Sequence, residues 1–72
     1  MDQDLLEIIF RYICDYIERV GYAPSIREIS RNCYVSQSNL YRYFDLLEIQ
    51  GRITRDPGRA RSITITPVPK PR

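Results

Sequence analysis

Seventy-two residues leave room for one domain and one small core, and a chain of this size buries only about 60% of the surface it exposes when unfolded. Two cysteines and no histidine cannot supply the roughly four ligands of a zinc site, and no apolar run reaches the ~18 residues of a membrane span. The net charge of +2 divides unevenly: residues 1–28 hold six acids against three arginines, residues 29–72 eight bases against three acids, so the second part suits a polyanion.

The first segment, Asp4 to Val20, repeats Leu6, Ile9, Phe10, Ile13, Ile17 and Val20 at helical spacing, which predicts one apolar stripe. Asp2 or Asp4 can cap its start, where acids also suit the helix dipole, and Gly21 closes it. Leu5, Ile8, Tyr12 and Tyr16 widen the apolar arc beyond the needs of a one-sided surface helix. Two readings follow: a helix central to a three-helix core, or a self-association edge through these four residues that would make a homodimer.

Gly21-Tyr22-Ala23-Pro24 is a turn, because proline keeps Ala23 out of the helical region. Ser25-Ile26-Arg27-Glu28 fits a capping box, with a short helix from Ile26 to about Asn32 that turns Ile26, Ile29 and Cys33 inward. After the short turn Asn32-Cys33-Tyr34-Val35, Ser36 caps a third helix reaching about Gln50, ended by Gly51. Leu40, Phe44 and Leu47 form its buried stripe, with Tyr43 at the edge. A connection this short makes two helices cross steeply, as in a helix-turn-helix.

Arg52-Ile53-Thr54-Arg55 and Ser62-Ile63-Thr64-Ile65 alternate apolar with polar around the turn signal Asp56-Pro57-Gly58, which predicts a hairpin. From residue 67 on, Pro67, Pro69 and Pro71 with Lys70 and Arg72 read as an extended tail or linker. The expected architecture is mainly α, a winged helix-turn-helix over residues 1–66: three helices, then a two-stranded antiparallel wing. The thiols read as buried groups of a reducing cytoplasmic compartment. Acidic first residues without an apolar core to follow argue against a signal peptide.

The chemistry of this order points to double-stranded DNA. With Leu40, Phe44 and Leu47 facing inward, the first two turns of the third helix present Gln37, Ser38, Asn39, Tyr41 and Arg42. These are hydrogen-bonding side chains at the end of the helix that enters a major groove. Asn and Gln pair with adenine and Arg with guanine through two bonds. Arg55, Arg59 and Arg61 place three cations around the wing turn, suited to a phosphate backbone or a minor groove. Ten of the eleven bases are arginine, the better residue for bidentate contacts. The alternative is a winged-helix module that binds protein rather than a DNA sequence, since fold does not fix function. Without histidine, a phosphate-binding glycine loop or a paired-acid site, no enzyme, metal or cofactor is expected.

The run Gly21-Tyr22-Ala23-Pro24-Ser25-Ile26-Arg27-Glu28-Ile29, the pair Leu47-Glu48 with Gly51 and Ile53, and the wing Arg55-Asp56-Pro57-Gly58-Arg59-Ala60-Arg61 closely resemble the DNA-binding domain of LexA-type repressors, over about Leu6 to Ile65. The resemblance implies a transcriptional repressor of the SOS-response kind. It places base contacts on Ser36, Ser38, Asn39, Tyr41 and Arg42. The chain departs from the family where Cys33-Tyr34-Val35 replaces the usual Gly-Leu or Gly-Phe, and where Leu40-Tyr41 replaces small residues. Tyr41-Arg42-Tyr43-Phe44 is instead similar to the TetR-type helix-turn-helix, so the base preference is not that of the usual LexA operator. The serine-lysine self-cleavage domain of LexA-type repressors is not in this sequence, whose single lysine is Lys70.

Overall fold

The computed structural model of the chain describes residues 2–55 and 63–65. Three helices, α1 (Gln3–Val20), α2 (Ile26–Cys33) and α3 (Gln37–Ile49), precede a hairpin of β1 (Ile53–Thr54) and β2 (Thr64–Ile65). This is the three-helix, two-stranded order expected of a winged helix-turn-helix. The turn Asp56-Pro57-Gly58, Arg59, Arg61, Ser62 and the proline-rich tail lie outside the described residues.

Each helix begins where its capping chemistry dictates. The Asp2 carboxylate accepts the Asp4 and Leu5 backbone N–H groups at 2.9 and 3.2 Å, so Asp2 rather than Asp4 is the cap and α1 starts one residue early. The Ser25 box is complete: Glu28 N–H donates to Ser25 Oγ (3.1 Å) and Ser25 N–H to Glu28 Oε1 (2.8 Å). Such reciprocal caps satisfy amides that have no partner within the helix. Gly21 ends α1 at φ +96°. Gly51 follows α3 at φ +75°, and the Arg52 N–H turns back to the Leu47 carbonyl at 2.9 Å. Only glycine takes such angles without a steric cost.

The core joins all five elements. Leu6, Ile9 and Ile13 of α1 meet Ile29 of α2, Leu40, Phe44 and Leu47 of α3, and Ile53 of β1; all are essentially inaccessible. Antiparallel pairing of Ile53 with Ile65 and Thr54 with Thr64 puts the isoleucines on the helix-facing side. Ile63, two residues before Ile65, is buried on that same side, as the period of a strand requires. Helix α1 uses its broad arc largely within the molecule. Leu5, Phe10, Tyr12 and Ile17 pack against the core, and the Tyr16 hydroxyl donates to Glu28 Oε2 at 3.0 Å. Ile8 stays 54% exposed, and Val20, in the last turn, is exposed rather than part of the buried stripe.

Three details depart from the sequence reading. Helix α2 continues to Cys33, so only Tyr34 and Val35 separate it from the Ser36 cap. Tyr43 is buried rather than marginal, because its hydroxyl has a partner, the Asp2 N–H at 3.3 Å. That partner lies 41 residues away in sequence. The paired strands are two residues long each instead of four.

Candidate nucleic-acid interface

Helix α3 is held from beneath and open above. Leu40 and Phe44 are fully buried one turn apart, which fixes the rotation of the helix about its axis. The same geometry leaves Gln37, Ser38, Asn39, Tyr41 and Arg42 exposed on its first two turns. Ser36 is the cap: its Oγ accepts the Asn39 N–H at 3.2 Å. Arg42 is in no ion pair among the described residues. Tyr41 is divided in role. Its ring meets Phe44 edge-on, centroids 6.3 Å apart, while 49% of the residue remains exposed. Contact with a buried aromatic restrains that ring, so what it presents outward has a defined direction.

The turn before α3 is fastened at both ends. The Ser30 hydroxyl donates to the Val35 carbonyl, and the Val35 N–H donates to the Ser30 carbonyl at 3.2 Å. Val35 is buried beneath the turn and Tyr34 stands clear of it. Helix α2 buries Ile29 and Cys33 and exposes Arg27 and Arg31, which lie one turn apart and outside any ion pair among the described residues. The sequence reading did not single out these two arginines. Their spacing opposite Ile29 and Cys33 was the available signal.

The described arginines after α3 differ from the exposed ones. Arg52 lies 4.0 Å above the centre of the Phe10 ring and donates to both Glu7 oxygens, at 2.7 and 2.9 Å. The hydrogen bond from Arg52 holds the Glu7 carboxyl below its ordinary value. Arg55, expected at the wing, lies between Glu48 and Asp45 of α3 and 5.5 Å from the centre of the Phe44 ring. Desolvation works against its charge, yet the bonds to Glu48 and Asp45 outweigh that and strengthen its hold on the proton. The structure therefore brings Ser36, Gln37, Ser38, Asn39, Tyr41 and Arg42 together on one face and sets Arg55 apart, against the acidic side of α3. Arg59 and Arg61 lie outside the described residues.

The thiols are set back from this face. Cys33 is buried and Cys14 half-buried, and burial raises both above the usual thiol range. Among the described residues no cluster of three potential ligands could hold a metal ion, and no helix is long and apolar enough to cross a membrane.

The chain is similar to known proteins over most of its length. The family described as the LexA DNA binding domain matches residues 6–62. The LexA repressor of Moorella thermoacetica is 44% identical over 66 residues, covering 89% of this chain and 32% of that protein. The LexA repressor of Thermosipho africanus is 33% identical over 64 residues, with the same two coverages. That of Enterococcus faecalis is 37% identical over 60 residues, covering 82% of this chain and 29% of its own length. The chain thus spans about a third of the length of these relatives.

Proposed function

The chain belongs to the LexA DNA-binding-domain family, and from that premise we propose that it is a sequence-specific transcriptional regulator, a repressor, that inserts α3 into the major groove. The observation that carries this reading is the division of α3: Leu40, Phe44 and Leu47 are fully buried, while Gln37, Ser38, Asn39, Tyr41 and Arg42 are exposed on its N-terminal turns. A helix fixed by its core stripe offers those side chains to base edges in one register. Ser36 combines capping with a place beside the phosphates, where the helix N-terminus favours an anion. Arg59 and Arg61 supply the wing's charge to the backbone or a minor groove. Arg55 braces the wing against α3.

A single domain neutralises few phosphates, so a homodimer on two half-sites completes the reading. Of the α1 edge Leu5, Ile8, Tyr12 and Tyr16, Ile8 is the most open, with the others partly engaged by the domain's own core or by Glu28. The dimer therefore centres on Ile8. Sedimentation of the free protein and of its complex with a palindromic duplex tests it; a monomer when free together with one protomer per duplex in the complex rejects the dimer. Selection from a random duplex library tests the function itself. A recovered consensus supports the operator reading, and equal binding to all duplexes rejects it.

A further inference from the structure

Tyr34 has an unfavourable backbone conformation that no side-chain contact among the described residues offsets. It is the one non-glycine residue with positive φ (+56°) among the described residues, a region that L side chains adopt at a steric cost. The residue is 94% exposed, so burial does not compensate. The conformation itself is needed, because this residue caps α2 and its N–H donates to the Ser30 carbonyl. A glycine would meet that need without strain. What tyrosine adds over glycine is an outward phenol, and it adds it at a particular place. Tyr34 is two residues before the Ser36 cap, at most about 7 Å along the chain. It also ends the helix that exposes Arg27 and Arg31.

We propose that the Tyr34 hydroxyl donates to a DNA phosphate flanking the bases read by α3, with Arg27 and Arg31 on neighbouring phosphates. The inference rests on the DNA reading above. In a helix-turn-helix the first helix of the pair crosses the sugar–phosphate backbone while the second enters the groove. Tyrosine is among the side chains that donate to phosphate and fix register without reading sequence.

A neutral donor and a cation leave different signatures in salt. Binding is measured for the parent chain, Tyr34→Phe, Tyr34→Gly and Arg31→Ala, on the selected duplex and on a random one, across a salt series. Tyr34→Phe is expected to bind both duplexes roughly tenfold more weakly, because a hydrogen bond to a charged group is lost. Its salt slope should stay that of the parent. Arg31→Ala should flatten the slope by about one unit. Tyr34→Gly should weaken binding as Tyr34→Phe does while raising the thermal midpoint, since the strain is removed; opposite signs separate contact loss from misfolding. Binding of Tyr34→Phe within twofold of the parent, when the parent shows sequence preference, overturns the Tyr34 contact and leaves the DNA reading intact. A parent chain that binds no duplex overturns both.

Discussion

Arg55, the first residue beyond β1, donates to a single carboxylate oxygen of Glu48 in α3 twice, from Nε at 3.0 Å and from Nη2 at 2.6 Å. The same Nη2 reaches Asp45 Oδ1 at 2.5 Å, and the guanidinium lies over the Phe44 ring. A strand end is thereby fastened to the helix that carries the exposed polar face. Among the described residues this adds a polar link between β1 and α3 to the packing of Ile53 in the same core.

Removing that fastening should act on stability more than on charge. Arg55→Ala is expected to cost about 1–2 kcal/mol, from the partly screened ion pair together with lost packing on Phe44. For a domain of this size the thermal midpoint then falls by roughly 4–16 °C. Because the guanidinium is already neutralised by Glu48 and Asp45, Arg55→Ala should leave the salt slope of DNA binding near that of the parent. A slope flattened by a full unit would place Arg55 on a phosphate instead.

Neighbours on α3 should separate by role. Phe44→Ala empties the centre of the core and is expected to cost about 3–5 kcal/mol. Marginal stability for a chain this short is of the order of 4–10 kcal/mol, so urea melts should show a largely weakened or unfolded domain. Tyr41→Ala, three residues earlier, removes an edge contact and a half-exposed ring. It should lower the midpoint only modestly while reducing affinity for the selected duplex. Equal losses of stability in the two variants would assign Tyr41 to the core.

Acid stability should report on Glu7. Its carboxyl is held below its ordinary value by the hydrogen bond from Arg52. A group with a depressed folded-state pKa binds protons more readily when unfolded, so its contribution is present above the unfolded value and fades as pH falls through the folded one. Part of the loss of stability below about pH 4.5 therefore belongs to this pair. Glu7→Gln should be less stable than the parent at pH 7 and should approach it at pH 3. A stability difference that does not change between these pH values would remove the pair from the acid response.

The parts legible in the sequence are those set by neighbours along the chain. The Ser25–Glu28 box, the Asp2 and Ser36 caps, Gly21 and Gly51, and the Leu40, Phe44, Leu47 stripe each depend on residues within a few positions. The exposed face of α3 follows from that stripe by helical geometry. Long-range partners were not legible. Arg55 reads as a wing cation, and nothing near it along the chain shows that the turn through Gly51 also brings it to Glu48 and Asp45. Tyr43 reads as an edge residue until the N-terminus of α1 supplies the Asp2 N–H. Nothing in Tyr34 itself marks a left-handed backbone, because the residue types that signal one are glycine and asparagine.

The arginines of α3 and of the predicted wing should differ in what they measure. Arg42 stands on the outward face of a helix whose rotation is fixed by Leu40 and Phe44, so a contact it makes to a base edge holds one register. Arg42→Ala should relax preference at one position of the selected site, costing about 1–3 kcal/mol against the preferred base. Its effect on a random duplex should be much smaller. Arg59→Ala should instead weaken all duplexes alike and flatten the salt slope by about one unit, as loss of a phosphate contact does. Repeating the library selection with each variant separates the two. A consensus unchanged by Arg42→Ala would move that residue from the base edges to the backbone, and a narrowed consensus with Arg59→Ala would give the wing a part in reading sequence.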